Sequence, residues 1–303
     1  MSVVRVRCRG AVNLAVSLKE GGWSRRLIIE PVAGDREELA KPGKRMTTHA
    51  VDADVHAREV AFHDALAETL GHGDLAFRAP DGLEHALLRE LGPIEGKTIL
   101  DLGCGAGELS GYLARRGAHV VSLDISPGMV ELARRRLAHA GIPGGEFVVA
   151  PAERTPLGDE SVDLVVGKWI LHHIDVAAAA TEVARVLRPG GRAVFIENSG
   201  DNRLLSYARK ELAGRLGIPR YGTDDEHPLG KEEYELLGQS FAHVTLEYPD
   251  FCFFALFDRQ IFRLKYPVVT RLLRDIDDVV FRKLPRLRRY SYHVIIGLES
   301  AAH

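Results

Sequence analysis

The stretch "ILDLGCGAGELS", Ile99 to Ser110, ends an apolar run on an aspartate and then turns through Gly103, Gly105 and Gly107 into a helical pattern. Glycines at such a turn admit positive φ and let a ligand approach the backbone closely. In an open parallel sheet, ligands sit outside the carboxyl ends of the strands where the strand order reverses, so the stretch marks a nucleotide-type site at residues 101–107. The dinucleotide fingerprint places its third glycine where this chain has Glu108; here that glycine comes earlier, at Gly107, which disfavours a nicotinamide dinucleotide. The Lys–Ser/Thr pair that grips phosphate and magnesium in a P-loop is missing.

Around this turn, strand-like and helix-like segments alternate. "TILDLG", "HVVSLD", "GEFVVA", "VDLVVGKW" and "RAVFIEN" are apolar and short, while "ELSGYLARRG", "SPGMVELARRRLAHAG" and "DVAAAATEVARVLRPGG" carry the helical period. Such alternation predicts an α/β fold with a doubly wound, mostly parallel sheet covered on both faces, beginning at about Gly96. After Asn198 the pattern loosens into helix-like segments, a strand "AHVTLEYP", an insertion at about 250–289, and a last strand "SYHVIIGLES".

Residues 46–95 read as a helical cap, with Val55, Glu59, Phe62, His63, Leu66 and Leu70 at three- and four-residue spacing. Residues 1–45 hold β-like pieces ("VVRVRC", "NLAVSL", "RLIIEP") and a linker "AKPGKR". The composition shift at Met46 leaves two readings open, a small appended β-element or an over-extended start. The arginines of this segment suggest a transit peptide, but its strand-like period argues against one.

At 303 residues, 46% apolar and 27% charged, the chain has the composition of a globular protein and not of a disordered one. No apolar run approaches the ~20 residues of a membrane helix, and the N-terminus lacks the pattern of a secretory signal, so the expected location is the cytoplasm. Cys8, Cys104 and Cys252 show no metal-ligand spacing, and neither a disulfide framework nor a metal site is expected. The formal charge of −2 conceals a local excess: residues 259–290 carry ten Lys or Arg against three Asp, a stretch of +7. Such a patch fits anionic lipid, nucleic acid, a charged substrate or a solvated helix face.

Asp124 ends the second strand of the alternating unit, where a carboxylate can accept hydrogen bonds from both hydroxyls of a ribose. Together, "DLGCGAG", "LDISPGMVELAR" and "LRPGG" resemble the class I S-adenosylmethionine-dependent methyltransferases, in particular their small-molecule, type 11-like group, over about 97–198. The resemblance implies a Rossmann-like fold with a seven-stranded sheet, and S-adenosylmethionine as cofactor. It further implies that Asp101, Gly103 and Gly105 line the methionine moiety, that Asp124 binds the ribose, and that Ile125 packs on adenine; Cys104, in the same tight turn, is assigned to the cofactor site. One departure stands out. Family members usually carry Asp-Ala-Glu after the third strand, whereas "VVAPAERTPL" has Pro151 there, leaving adenine to the backbone of Ala152 or to Glu153. Lys168 is also assigned to the cofactor.

Methyl transfer from a sulfonium is an in-line displacement that requires a nucleophile held close in a site closed to water; no metal is needed. Whether a base is needed depends on the acceptor, since an alcohol or carbon acid must lose a proton. "WILHHID" offers His172 and His173 after the fourth strand, and "GTDDEHPL" offers His227 and Asp225 in an acidic loop, a pattern that resembles a subgroup of bacterial small-molecule enzymes. Trp169, Glu197, Asn198, Asp225 and Phe254 are the expected substrate contacts. The 250–289 insertion reads as a lid, with Phe251, Phe253, Phe254 and Phe257 walling an apolar pocket. Behind them lies an amphipathic helix whose apolar face holds Val269, Leu272, Leu273, Ile276, Val279 and Val280.

The expected function is methylation of a small-molecule acceptor, at oxygen ahead of carbon or nitrogen, with a natural product or a partly apolar metabolite as substrate. Two alternatives stand beside it: a cofactor-binding protein of the same fold with a non-methylating role, and a nucleic-acid methyltransferase. No nucleic-acid partner is expected, because the aromatic-proline-tyrosine tetrapeptide of base-amine enzymes is missing after the fourth strand, where "GKWILHH" stands. Peripheral membrane or carrier contact is assigned to basic residues 259–290. The sequence leaves the oligomeric state open.

Overall fold

The computed structural model describes residues 2–7, 12–18, 25–31, 53–71, 75–78, 80–142, 145–212, 228–262 and 264–301. Near the N-terminus, β1 (Ser2–Arg7), β2 (Val12–Leu18) and β3 (Arg25–Pro31) pair antiparallel in succession. Helices α1 (Ala53–Gly71) and α2 (Gly82–Leu91) follow. The alternating unit then runs β4 (Thr98–Leu102), α3 (Glu108–Ala114), β5 (His119–Asp124), α4 (Pro127–His139), β6 (Glu146–Val149), β7 (Val162–Lys168), α5 (Val176–Val186) and β8 (Leu187–Asn198). After it come α6 (Arg203–Leu212), α7 (Lys231–Ser240), β9 (His243–Glu247), α8 (Phe254–Phe257), α9 (Pro267–Lys283) and β10 (His293–Glu299).

The strands form one sheet in the order β6-β5-β4-β7-β8-β10-β9-β3-β2-β1. Strands β6, β5, β4, β7 and β8 are mutually parallel, and β10 inserts antiparallel between β8 and β9. The seven strands from β6 to β9 are therefore the mostly parallel, doubly wound sheet that the alternation predicts. The chain moves outward from β4 to β5 and β6, then returns to lay β7 on the other side of β4, so the order reverses between β4 and β7. A crevice opens at that point beyond the carboxyl ends of the strands.

Alternate residues of each strand feed two core layers. Ile99, Val120, Leu164 and Val194 pack beneath Leu87, Leu91, Leu109 and Leu113 of α2 and α3. Leu100, Leu102, Val121, Val165 and Phe195 face Val183, Val186, Tyr234 and Leu237 of α5 and α7. Each fully buried Leu or Val of this kind contributes about 1.5–3 kcal/mol, which is why the parallel half reads as continuous apolar runs.

Helix α1 docks on α4 through a small apolar contact of Ala67 with Met129 and Leu132. A polar clasp adds to it: Asp64 Oδ1 accepts from the Gly128 amide at 2.9 Å and from the Ser126 hydroxyl at 2.5 Å. Ser126 is itself the N-cap of α4, so the Asp64 charge sits where the helix dipole favours an anion. Among the described residues, no helix is long and apolar enough to cross a membrane.

Segment 250–292 leaves the sheet at the carboxyl end of β9 and returns as β10, whose His293 stands opposite Asn198 at the end of β8. Asp277 of α9 holds the segment's turn: its carboxylate accepts from the amides of Phe253 at 3.2 Å, Phe254 at 2.9 Å and Ala255 at 2.7 Å.

Candidate functional site

The glycine turn after β4 forms because three of its residues take positive φ: Gly103 at 71°, Gly105 at 50° and Gly107 at 75°. The amides of Gly103 and Cys104 both donate to the Leu123 carbonyl at 2.8 Å, which ties the turn to the end of β5. Gly107 has a second reason to be glycine, since a Cβ there would lie 2.8 Å from the Ala133 methyl on α4. At Gly105 a Cβ would meet nothing within 4 Å, so that stretch of backbone lies bare toward open space.

That space is a cavity of about 640 Å³, within the range of small-molecule sites. Its floor is the end of β4 and the glycine turn (Asp101, Gly103, Cys104, Gly105); one side is Asp124, Ile125, Ala152 and Glu153, and the other is Lys168, Trp169 and His173. The cofactor residues expected from the sequence therefore come together around one cavity, although they derive from four separate loops.

Asp124 is fixed by the backbone: Oδ2 accepts from the Gly105 amide and Oδ1 from the Ser126 amide, each at 2.9 Å. Burial outweighs these amides and raises its pKa. Asp101 accepts from the Ser110 hydroxyl at 2.5 Å, and Ser122 donates to Ser110 at 2.9 Å. Burial also pushes Asp101 up to about 6, against the Ser110 hydrogen bond and the Lys168 charge. Cys104 is buried, which lifts its thiol well above the ordinary value and keeps it protonated.

Lys168 pairs with Glu84, which Arg78 also grips through two hydrogen bonds, at 2.7 and 3.0 Å. Glu84 closes the capping box of α2 as well, its carboxylate accepting from the Asp81 amide. Burial works to raise the Glu84 pKa, but Lys168, Asp81 and Arg78 outweigh it and hold the carboxyl below the ordinary range. The cluster leaves two cations, Arg78 and Lys168, on the cavity wall.

Trp169 has φ 54°, a left-handed conformation rare for a bulky residue, and is 38% exposed on the cavity wall. It follows β7 directly, and the turn after it carries the histidines. His172 is buried: its Nδ1 lies 2.6 Å from Glu197 Oε2, and Glu197 Oε1 accepts from the amides of Ile170 and Leu171 at 2.9 and 2.7 Å. Glu197 thus pins the turn from behind, and neither it nor His172 is on the cavity wall. His173 is on that wall, its ring 4.2 Å from the His172 ring.

A further wall comes from α1. Glu59, buried, lies 3.2 Å from His173 Nδ1 and 3.4 Å from His63 Nε2. His56 lies 3.5 Å from Glu153 Oε1. None of His56, Glu59 or His63 stands out in a motif search, because their partners come from distant loops. The signal was nonetheless there: H-x-x-E-x-x-x-H places the three on one helical face, turned toward the cavity.

Other expected residues lie elsewhere. Asn198 is buried at the end of β8, where its carbonyl accepts from the Leu229 amide. Phe254 packs edge-on against Phe253, which also contacts Phe251 and Phe257, and no described residue of 250–290 lines the cavity. Asp225 and His227 lie outside the described residues. Among the described residues, no group of three His, Cys, Asp or Glu side chains could hold a metal ion.

The residues present fit an adenosine-containing cofactor. Glu153 Oε2 is buried on the cavity wall with no hydrogen-bond partner among the described residues, the costly state that a donor such as an adenine amino group relieves. With Pro151 in place of the family's usual aspartate, Glu153 is an acceptor already at hand. The bare backbone at Gly105, the carboxylates of Asp101 and Asp124 and the cations Arg78 and Lys168 complete a surface able to take ribose hydroxyls, an ammonium and a carboxylate.

A family model described as "Methyltransferase domain" matches residues 100–195. A malonyl-[acyl-carrier protein] O-methyltransferase of Methylococcus capsulatus is 33% identical over 206 residues, 66% of this chain and 68% of that protein. An uncharacterized methyltransferase of Mycobacterium bovis is 41% identical over 129 residues, 42% of this chain and 51% of that protein; the chain spans about half the length of these mycobacterial relatives. Among solved structures, the [4+2]-cyclase SpnF shares the fold at a TM-score of 0.54 and 19% identity, with 82% of this chain and 97% of that one covered.

Proposed function

This chain belongs to the class I S-adenosylmethionine-dependent methyltransferases, and from that membership we propose that it methylates a small, partly apolar molecule at an oxygen atom that carries a proton. The observation that carries the reading is one cavity that brings together cofactor-type residues from the ends of β4 to β7 and the Glu59–His173 pair. When bound, S-adenosylmethionine supplies a methyl group already activated on a sulfonium.

Asp124 would hold the ribose, Ile125 and Ala152 the faces of adenine, and Glu153 Oε2 its amino group, while Asp101, Arg78 and Lys168 would take the charged methionine end. His173 would accept the acceptor's proton, with the Glu59 carboxylate 3.2 Å from Nδ1 stabilising the imidazolium. Glu197 and His172 would keep the turn in register behind it. Leu66, Leu70 and Trp169 give the wall an apolar stretch, which supports a partly apolar acceptor. The oxygen preference also draws on the name of the relative from Methylococcus, an O-methyltransferase. The non-methylating alternative draws on Pro151, and the unpartnered oxygen of Glu153 offers the acceptor that Pro151 lacks.

The test is transfer of labelled methyl from S-adenosylmethionine to phenols, polyketides, quinones and sugars. His173→Ala is expected to slow transfer by about 10²–10⁴-fold with cofactor affinity retained. Cofactor binding without transfer to any of these contradicts methylation of such molecules, and an undiminished rate in His173→Ala contradicts the base.

A further inference from the structure

Helix α9 presents apolar side chains to solvent, which the cavity and the fold leave without a task. Val268 is 82% exposed, Leu272 57% and Val279 58%. Their spacing puts them on one narrow stripe of the helix, which exposed Asp275 shares. Leu264 and Tyr266 extend the patch ahead of the helix, and Leu284 and Leu287 continue it beyond the C-terminal end, all exposed. The opposite side of α9 is anchored, since buried Asp277 binds three backbone amides of the 253–255 turn. The helix therefore has one face fixed to the protein and a second apolar stripe facing outward.

The charge around that stripe selects the occupant. Lys265, Arg271, Arg274, Arg282, Lys283 and Arg286 are exposed on α9 and its flanks, against exposed Asp275 and Asp278. Cations flanking a protruding apolar stripe match a surface that is anionic outside and apolar beneath, as at the headgroup boundary of a bilayer. A nucleic-acid backbone would satisfy the cations but leave the stripe in water. The segment leaves the sheet beyond the carboxyl ends of β8 and β9, the edge at which the cavity opens, so docking there brings the cavity edge toward the surface.

We propose that α9 and its flanks dock this protein on an anionic lipid surface. The inference stands independently of methyl transfer. The test floats the full chain with vesicles of phosphatidylcholine alone and of phosphatidylcholine with about 30% phosphatidylglycerol. Each Lys or Arg near an anionic surface is worth about fivefold in partition, so the anionic vesicles should bind at least about tenfold better, less so as salt is raised. The double variants Val268→Asp with Leu272→Asp and Lys283→Glu with Arg286→Glu should each weaken that binding by about tenfold or more. Titration with S-adenosylmethionine should be unchanged in both variants, which reports that they fold. Equal binding to both vesicles, binding to neither, or full binding by the Asp variant overturns the proposal. So does self-association of the wild type that Val268→Asp abolishes, which would make a second copy the occupant.

Discussion

Two buried carboxylates at one edge of the sheet use the same device for different ends. Asp124 accepts amides from Gly105 and Ser126 and still faces the cavity; Asp277 accepts three amides from residues 253–255 and is not part of that cavity's wall. In both, burial raises the pKa against the backbone amides. The difference lies in what surrounds them. Around Asp124 the donors are backbone amides of the glycine turn and of the start of α4, so the carboxylate is preorganised toward a ligand. Around Asp277 the neighbours are aromatic and the outer face is open, so the carboxylate holds a helix in place.

The comparison breaks most visibly at Gly107. Alanine there takes a left-handed conformation, worth about 1–2 kcal/mol, and drives its methyl against α4. Denaturant unfolding of Gly107→Ala should show a loss of about 3 kcal/mol together with weakened cofactor binding; a loss below about 1 kcal/mol would mean that the turn is not as tightly held as described. Asp277→Ala should cost about 2 kcal/mol through three stranded amides, yet leave cofactor affinity untouched. A parallel fall in affinity would show that the two regions are coupled.

The smallest effect is one of pH. Because Asp101 is raised to about 6, the free protein binds a proton that the unfolded chain does not between about pH 4 and 6. Stability of the free protein therefore falls as pH rises through that window, and the penalty is fully present above it. A cationic cofactor end favours the ionised form. Affinity should thus weaken as pH falls below about 6, approaching tenfold per pH unit, and Asp101→Asn should flatten the profile.

The same contrast decides what could be read from the sequence. Gly103, Gly105, Gly107 and Asp124 were legible because their constraints are local: a turn, a strand end and a fixed spacing. Residues 99–198 also announce the parallel sheet through uninterrupted apolar runs. Glu59 and His63 were visible only as helical positions, since what gives them chemistry is the docking of α1 on α4, which brings them to His173. Phe254 shows the converse. Aromatics after a strand satisfy a cavity wall and a local cluster equally well, and only tertiary packing chose the cluster with Phe253. Leu272 and Val279 followed the helical period, but periodicity cannot tell an apolar face that is covered from one that is open.

The most direct test of the central claim is calorimetric titration of the wild type and of Asp124→Ala with S-adenosylmethionine and S-adenosylhomocysteine. The cavity predicts micromolar binding of both by the wild type, and a loss of about a hundredfold or more when the carboxylate that anchors Gly105 and faces the ribose is removed. Wild-type protein that binds neither ligand, or an Asp124→Ala variant that binds them as well as the wild type, would contradict it.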